Sequence, residues 1–345
     1  MKINKICIVF ALVLPIGSAL ACASCGCSLN TDLSAQGMGS NPGWSFDARY
    51  DYLNQNQLRA GKSVISPANA SITQNVKAGG NAEVEGYTRN SYLTSSVDYN
   101  NGERWGATFI LPFIQRDHMT FGVGVDGWPS GTAGYTSQAS GFGDIKIIGR
   151  YFGFSEQKNW GLQFGIKLPT GNNGQTAPAA SGGGVVTAVD PGLQLGTGST
   201  DLIVGIYKFG HIAATDDWGY FGNFQFQAAV DSKSTPSNID ALPGSSGSYR
   251  PGNSLNINAG VNYQGFENWT PTLQLNLIDK KADSGAAADT WATGGTLIYL
   301  APGLMYSTSD STKYYTNVQL PMYQNLNGIQ LVPKFVGSVG VRLNF

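Results

Sequence analysis

Three cysteines are the residues best suited to chemistry, and they stand close together early in the chain. Cys22, Cys25 and Cys27 form a C-x-x-C-x-C pattern. Three soft thiolates this close could hold Cu(I) or contribute to a Zn²⁺ site, and two of them could form a disulfide. No histidine follows Cys25 or Cys27, which excludes the C-x-x-C-H haem-attachment pattern. A disulfide or other structural role is favoured, while metal or redox chemistry and lipidation of Cys22 stay open as alternatives.

The two histidines of the chain give no catalytic arrangement. A serine or threonine nucleophile needs an adjacent base, usually histidine. The strand pattern described below places His118 above the third strand and His211 at the end of the sixth, at opposite ends of the strands. The acidic pair Asp216 and Asp217 lies in a short turn without further ligands. We therefore predict that the protein is not an enzyme and needs no cofactor.

The composition excludes several classes of protein. Only 12% of the 345 residues are charged, 11% are aromatic and 46 are glycine, against about 25% charged residues in an average soluble domain. The net charge of −1 gives no basic field for nucleic acid, and a hydrophobic content of 41% excludes a long disordered chain. Beyond the N-terminus no apolar run reaches the ~18 residues of a membrane-spanning helix. This composition favours β-structure with one face toward lipid and the other toward water.

The first residues have the pattern of a secretory signal peptide. Lys2 and Lys5 precede an apolar run at 6–14, and Ala19-Leu20-Ala21 forms an A-x-A cleavage site. Lipoprotein signals normally carry leucine where Ala19 stands, so cleavage by the ordinary signal peptidase is the simpler interpretation. We predict a signal peptide at 1–21, a periplasmic cysteine-containing segment at 22–42, and a membrane domain at 43–345.

Apolar and polar residues alternate along most of the remaining chain, which is the period of a β-strand. The predicted strands are mostly longer than the ~5–6 residues of globular strands and match the ~9–11 that cross a bilayer at a tilt. Twelve strands are predicted, at 43–58, 84–99, 104–116, 141–155, 160–170, 199–211, 218–231, 253–264, 269–280, 293–307, 313–323 and 335–345.

The connections alternate between long and short. The long connection 59–83 is followed by a tight turn at 100–103, and the long connection 117–140 by one at 156–159; the long connection 171–198 is next. Outer-membrane barrels have long extracellular loops and short periplasmic turns. We therefore predict an all-β fold: a transmembrane antiparallel up-and-down β-barrel of about twelve strands with both termini periplasmic, in the outer membrane of a Gram-negative bacterium.

Aromatic residues support this prediction. Five tryptophans lie at strand starts beside the predicted turns or the N-terminus, where an interfacial girdle is expected. The final residue, Phe345, ends an amphipathic strand, as in barrels that present a C-terminal phenylalanine to the barrel-assembly machinery. The five tryptophans are Trp44, Trp105, Trp160, Trp218 and Trp269.

The polar face of the strands predicts the lining of the barrel. Charges of both signs lie there, so no strong cation or anion preference is expected. Amides dominate the rest, at Asn223, Gln225, Gln227, Asn256, Asn258, Asn262, Gln274, Asn276, Asn317 and Gln319. The predicted selectivity residues are Asp47, Arg49, Asp51, Asp98, Asp144, Lys146, Arg150, Lys167 and Arg342.

The long loop 171–198 has an unusual composition for a surface loop. It carries Val185, Val186 and Val189 after a glycine-rich run. We therefore expect it to fold partly into the lumen as a constriction; packing against neighbouring loops is an equal alternative. Deletion of 176–190 should then raise conductance.

The central part of the chain resembles a known family. The stretches Gly141-Phe142-Gly143-Asp144, Lys167-Leu168-Pro169-Thr170-Gly171 and Leu193–Asp201 are similar to the pattern of an outer-membrane transporter-like family labelled "meta-pathway of phenol degradation". The resemblance covers roughly 141–210 and implies a bacterial outer-membrane barrel, a channel for small organic molecules.

Together these patterns predict a passive outer-membrane channel or transporter for small, uncharged or organic solutes. The partners expected are the lipid of the outer membrane, the assembly machinery and the solutes. An alternative is a barrel whose cysteine-rich N-terminus handles metal or electrons with a periplasmic redox partner. A closed structural barrel is the third candidate.

Overall fold

The structure, a computed structural model, describes residues 42–78, 84–121, 135–178, 186–212, 217–231, 233–236 and 246–345. The predicted signal peptide and the segment 22–41 lie outside these ranges. In the described part nearly all regular structure is antiparallel β, as predicted. Within it, no helix combines the length and apolar character needed to cross a membrane.

Eleven strand elements hydrogen-bond in sequence and close into a barrel, because the last pairs with the first. They are β1 (Gly43–Gly61), β3 (Val84–Asn100), β4 (Trp105–Phe121), β6 (Ile145–Tyr151), β7 (Trp160–Leu168), β10 (Asp201–His211), β11 (Trp218–Ala229), β14 (Ser254–Tyr263), β15 (Trp269–Lys280), β16 (Gly295–Ser307) and β17 (Thr312–Asn344).

The shorter elements belong to the connections between the wall strands or extend the wall. The strand β5 (Tyr135–Phe142) pairs with residues 113–120 of β4, and the chain continues into β6 after a break at Gly143-Asp144. The other elements are β2 (Ser63–Val64), α1 (Pro67–Ala78), β8 (Thr176–Pro178), β9 (Val186–Ala188), a one-turn 3-10 helix at Pro191–Leu193, β12 (Lys233–Pro236) and β13 (Ser246–Tyr249).

The 33-residue element β17 contains two strands of opposite direction. Every neighbouring pair in the barrel is antiparallel, including β17 with β1, and a ring of eleven single strands cannot alternate direction at every seam. Leu326 lies opposite both Gly295 of β16 and Gly61 of β1. Gly328 has φ +56°, and the Thr316 hydroxyl donates to the Ser338 carbonyl at 2.9 Å. The chain therefore reverses at 327–328, and the wall has the twelve antiparallel segments predicted.

Several predicted boundaries differ from the structure, among them those of the fourth strand and of the last connection. The fourth strand was expected at 141–155, whereas β5 already begins at Tyr135. The last connection was expected to be a loop at 324–334, whereas Asn327-Gly328 makes a tight turn between strands that continue on both sides. Glycine accepts the positive φ that the chain takes at Gly328, so a longer loop is unnecessary there.

One end of the barrel carries the short connections 101–104, 152–159, 264–268 and 308–311, both ends of the described chain and a ring of aromatics. The Phe345 amide donates to the Trp44 carbonyl at 2.8 Å. The Trp44 ring lies 4.8 Å from the Tyr99 ring, and the Trp269 ring lies 4.4 Å from the Tyr306 ring. Each of the five predicted girdle tryptophans lies in the first two residues of its strand, in β1, β4, β7, β11 and β15. We call this end the turn end and the other the loop end.

Candidate functional site: the inner face of the barrel

The two faces of the wall differ sharply in burial. Phe164 and Leu275 are 57% and 52% exposed, whereas the alternate residues Gln163 and Asn276 are 0% and 2% exposed. Side chains on strands that are not direct neighbours bond to each other on the buried face, as Asn276 on β15 does with Gln319 on β17. Such convergence requires a concave surface. The buried, polar face is therefore the inner face, and the large exposed apolar side chains form the outer surface.

Six of the nine predicted charged residues form one network on the inner face near the turn end. The Arg150 guanidinium lies 2.6 Å from the Asp98 carboxylate, which also lies 3.7 Å from Arg342. The Arg49 Nε lies 2.8 Å from Asp51. Asp47 lies opposite Arg342 where β1 pairs with β17. Three carboxylates and three guanidiniums therefore balance in this group, the turn-end network, which comprises Asp47, Arg49, Asp51, Asp98, Arg150 and Arg342.

Two hydroxyl groups on the two segments of β17 donate hydrogen bonds to carboxylates of this network. The Tyr315 hydroxyl donates to both oxygens of Asp47, at 2.9 and 3.0 Å. The Ser338 hydroxyl donates to Asp51 at 2.6 Å. Neither residue was a predicted site residue. Their positions on the polar side of the last two strands were the available signal, but a hydroxyl carries no charge to single it out.

The other three predicted charges meet in a second network where β6, β7 and β10 approach the loop end. The Lys167 ammonium lies 3.2 Å from both Asp144 and Asp201. Asp144 also accepts the backbone amide of Thr197 at 2.9 Å. The Lys146 ammonium donates at 3.2 Å to Gln227, which in turn bonds to Asp201. We call Asp144, Lys146, Lys167 and Asp201 the loop-end network; its two acids and two bases also balance.

The loop-end network explains the motif that carries the family resemblance. Asp144 follows Gly143, Lys167 precedes Leu168-Pro169-Thr170-Gly171, and Asp201 closes the last stretch. Gly171 and Gly196 are packed so closely that a Cβ at Gly196 would meet the Gly171 carbonyl oxygen. These residues fasten the loop between β7 and β10 to the barrel, so the motif has a structural reason in this chain.

The segment 189–197 of that loop lies against the inner face. Leu195 packs with Ile114 of β4 and Ala139 of β5 in one buried cluster. The Arg116 guanidinium donates to the carbonyls of Gly192 at 3.1 Å and Gln194 at 3.2 Å. The expected inward folding of this loop therefore agrees with the described part of it. We call 189–197 the inner segment.

Arg116 was missed by the sequence analysis. It is 7% exposed and also donates to Asn90 at 2.6 Å and to the Tyr92 hydroxyl at 3.2 Å. These four hydrogen bonds all go to neutral acceptors, and they join β4 to β3 and to the inner segment. The predicted strand ended at 116, and a residue at a strand end gives no sign of facing inward.

The histidines lie at opposite ends of the barrel, as expected, but His118 does not lie above its strand. It is inside β4 and only 2% exposed, with its ring nitrogens 2.8 Å from the Thr88 and Thr120 hydroxyls. His211 ends β10 and is exposed. The strand β4 is longer than predicted because its outer face continues with Met119 and Phe121.

The predicted cysteine site falls outside the described residues. Cys22, Cys25 and Cys27 all precede residue 42, where the description begins. Within the described ranges, no three His, Cys, Asp or Glu side chains are grouped to hold a metal ion.

Comparison with known proteins gives likeness at the level of fold. No family model matches the chain, and no curated protein matches it; the resemblance to the phenol-degradation family thus has no family-model support. A solved outer-membrane channel of the COG4313 group from Pseudomonas putida F1 is similar over 88% of this chain and 96% of its own, with 12% identity and a TM-score of 0.57.

Two further structures are more distant. The transport unit of the autotransporter AIDA-I from Escherichia coli matches at 7% identity and TM-score 0.48, covering 94% of this chain and 95% of its own. The CymD monoaromatic hydrocarbon channel matches at 9% identity and TM-score 0.42, covering 91% of each chain. The COG4313 likeness shows the fold: this chain is a β-barrel of the outer-membrane type. The fold and the apolar outer surface support the predicted bacterial outer-membrane location.

Proposed function

We propose that this protein is a passive channel for small solutes in the bacterial outer membrane. The observation that carries the proposal is the contrast between the two faces of a closed barrel. Large apolar side chains lie outside, and amides and paired charges lie inside. The outer face suits lipid, and the inner face suits water and dissolved solutes. Solutes diffuse along the polar lumen without a cofactor or an enzymatic step.

The direction of the barrel follows from its two ends. The turn end carries the short connections 101–104, 152–159, 264–268 and 308–311, and short turns lie on the periplasmic side of outer-membrane barrels. We therefore propose that Phe345, which is 77% exposed, faces the periplasm and is available to the assembly machinery. The loop end then faces outward, and the inner segment narrows the lumen from that side.

Conductance in a planar bilayer tests the proposal. The purified protein should produce stable single-channel steps, and deletion of 176–190 should enlarge them because part of the loop that holds the inner segment is removed. A correctly folded barrel that conducts neither ions nor small solutes, with or without this deletion, would identify a closed structural barrel instead.

A second candidate function rests on the spacing of Cys22, Cys25 and Cys27. A metal or electron-transfer role at the periplasmic face would need these thiols. Replacing all three with serine should leave solute flux unchanged if the protein is a simple channel. Retained conductance together with loss of a bound metal or of a redox signal would instead favour the second candidate.

A further inference from the structure

Part of the inner face is built from amides rather than charges. The two charge networks lie on β1, β3, β6, β7, β10 and the second half of β17. Across the strands β11, β14, β15 and the first half of β17 the mid-strand inner residues are largely asparagine and glutamine. We call six of them the amide patch: Asn223, Asn256, Asn258, Asn276, Asn317 and Gln319.

The register of the strands brings these amides together. Asn223 lies opposite Asn258, and Asn258 lies opposite Asn276, so three neighbouring strands present an amide at one level. The Asn276 amide donates to Gln319 at 2.8 Å, which extends the patch past β16 to β17. The patch is therefore continuous rather than a set of isolated polar residues.

Several polar atoms of the patch have no hydrogen-bond partner within the described protein. Two are donors, the Nδ2 of Asn258 and the Nε2 of Gln319. Three are acceptors, the Oδ1 atoms of Asn223, Asn256 and Asn317. Asn223 and Asn258 are each 5% exposed and Gln319 is 0% exposed. A buried polar group without a partner costs about 1–3 kcal/mol, so these amides gain by meeting a partner that enters the barrel.

The mixture of free donors and acceptors selects the chemistry of that partner. An anion would satisfy only the donors, and a cation only the acceptors. A hydroxyl group both donates and accepts, so a molecule with several hydroxyls can meet both kinds of atom. An ether chain of equal size has acceptors but no donors along its length. The patch thus favours neutral, hydroxyl-rich solutes over ions and over ethers.

We propose that the amide patch is a weak binding site for neutral hydroxyl-rich solutes, of the sugar or polyol class, as they pass through the barrel. This inference rests on the proposed channel function and names the class of solute for it. Solute hydroxyls replace water at the amides of β11, β14, β15 and β17, and the charge networks on the other strands take no direct part.

The test measures a hexose, a hexitol and an oligoethylene glycol of matched size with the full-length protein. In a planar bilayer, the hexose and the hexitol should reduce the ion current with saturation, whereas the glycol should reduce it only in proportion to its concentration. In liposome-swelling assays, the hexose should enter several-fold faster than the glycol.

Variants locate the effect. The double variant Asn223→Leu with Asn258→Leu keeps side-chain volume but removes the amides, and it should weaken the saturating block by about tenfold. Gln115→Leu removes an exposed amide from β4 and is the matched control; it should leave the block unchanged. The milder pair Asn223→Ser and Asn258→Ser serves if the leucine variant does not fold, with a block weakened several-fold.

The outcomes separate the two proposals. If the wild-type protein conducts but hexose and glycol differ only as their sizes dictate, the amide-patch inference is overturned and the channel function stands. If the block is equally strong in the folded double variant, the site lies elsewhere and the inference also fails. If a folded barrel passes neither ions nor solutes, the channel function itself is refuted, and the inference falls with it.

Discussion

The bonds of Arg116 to the inner segment predict that removing the guanidinium will loosen the constriction. Arg116 donates to two carbonyls of the segment, those of Gly192 and Gln194. A hydrogen bond that involves a charged group contributes about 1.5–3 kcal/mol. Because water replaces part of this in the open position, Arg116→Gln should cost the inward position about 2–4 kcal/mol. A change of this size shifts the equilibrium between inward and released positions by about 30- to 700-fold.

The segment will not be released completely, because other contacts hold it. Leu195 is buried against Ile114 and Ala139, which contributes about 1.5–3 kcal/mol. Asp144 also holds the amides of Gly171 and Thr197. Single-channel recordings of Arg116→Gln should therefore show brief additional openings of higher conductance rather than one enlarged steady level.

A matched control and a cross-link make this prediction decisive. Arg89→Gln removes the same charge from an arginine whose side chain is 50% exposed, and should record like the wild type. With Cys22, Cys25 and Cys27 replaced by serine, a disulfide between Leu195→Cys and Ala139→Cys should suppress the openings of Arg116→Gln until a reductant is added. The reasoning is refuted if folded Arg116→Gln and Arg89→Gln give the same traces.

Three further predictions concern stability and pH. Lys167→Met leaves Asp144 and Asp201 without their shared cation and should lower the free energy of unfolding by about 3–5 kcal/mol, measured as a lower unfolding temperature by heat-dependent gel mobility. The control Lys281→Met changes a side chain that is 75% exposed and should alter that free energy by no more than about 0.5 kcal/mol; equal shifts would contradict the role of Lys167. Burial and the nearby Asp289 and Asp283 carboxylates raise the pKa of Asp190 well above its usual range, although the hydrogen bond from the Gly192 amide and the charge of Arg116 oppose this shift. Because this pKa is raised in the folded state, protonated Asp190 stabilises the inward position of the inner segment at low pH, and this stabilisation is lost as the pH rises through that pKa. Openings should therefore become more frequent at higher pH, and Asp190→Asn should remove the pH dependence. A wild-type opening frequency that is constant with pH would count against this prediction. Gly328→Ala should lower the free energy of unfolding by about 1–2 kcal/mol, because Gly328 has φ +56° and a Cβ there would lie 2.7 Å from the Trp291 carbonyl oxygen. A Cβ at Gly337 would meet open space, so Gly337→Ala should be tolerated. The same chemical denaturation curve for both variants would refute the strain argument.

The wall of the barrel was largely predictable because each strand is constrained on both faces. A strand between lipid and an aqueous interior must alternate apolar with polar residues, and β15 (Trp269–Lys280) was predicted with the same bounds. The first part of the fourth strand was missed because β5 reads Tyr-Thr-Ser-Gln-Ala-Ser-Gly-Phe. It has small or polar residues on both faces, so its period is hidden, and only its pairing with β4 defines it as a strand.

The inner face was predictable by position but not by contact. All nine predicted charges belong to the two networks on the buried face, and their part in selectivity is still a prediction. Alternation indicates which way a side chain points, but it does not reveal that Lys167 meets both Asp144, which precedes it, and Asp201, at the far end of the long loop. Arg116 was missed because the predicted strand ended there, and its partners Gly192 and Gln194 lie in a loop that has no regular pattern.

The pairing of these charges bears on what the channel can discriminate. The turn-end network holds three acids and three bases, in which Arg49 pairs with Asp51 and both Arg150 and Arg342 pair with Asp98. The loop-end network holds two of each, with Lys167 between Asp144 and Asp201. Opposite charges this close cancel at distances comparable with the ~8 Å screening length of physiological salt. In the proposed channel a passing ion therefore meets little net field from these networks, and the weak preference between cations and anions stays a prediction. Discrimination between solutes must then come from short-range contacts, and on the described inner face these are the width left by the inner segment and the hydrogen bonds of the amide patch.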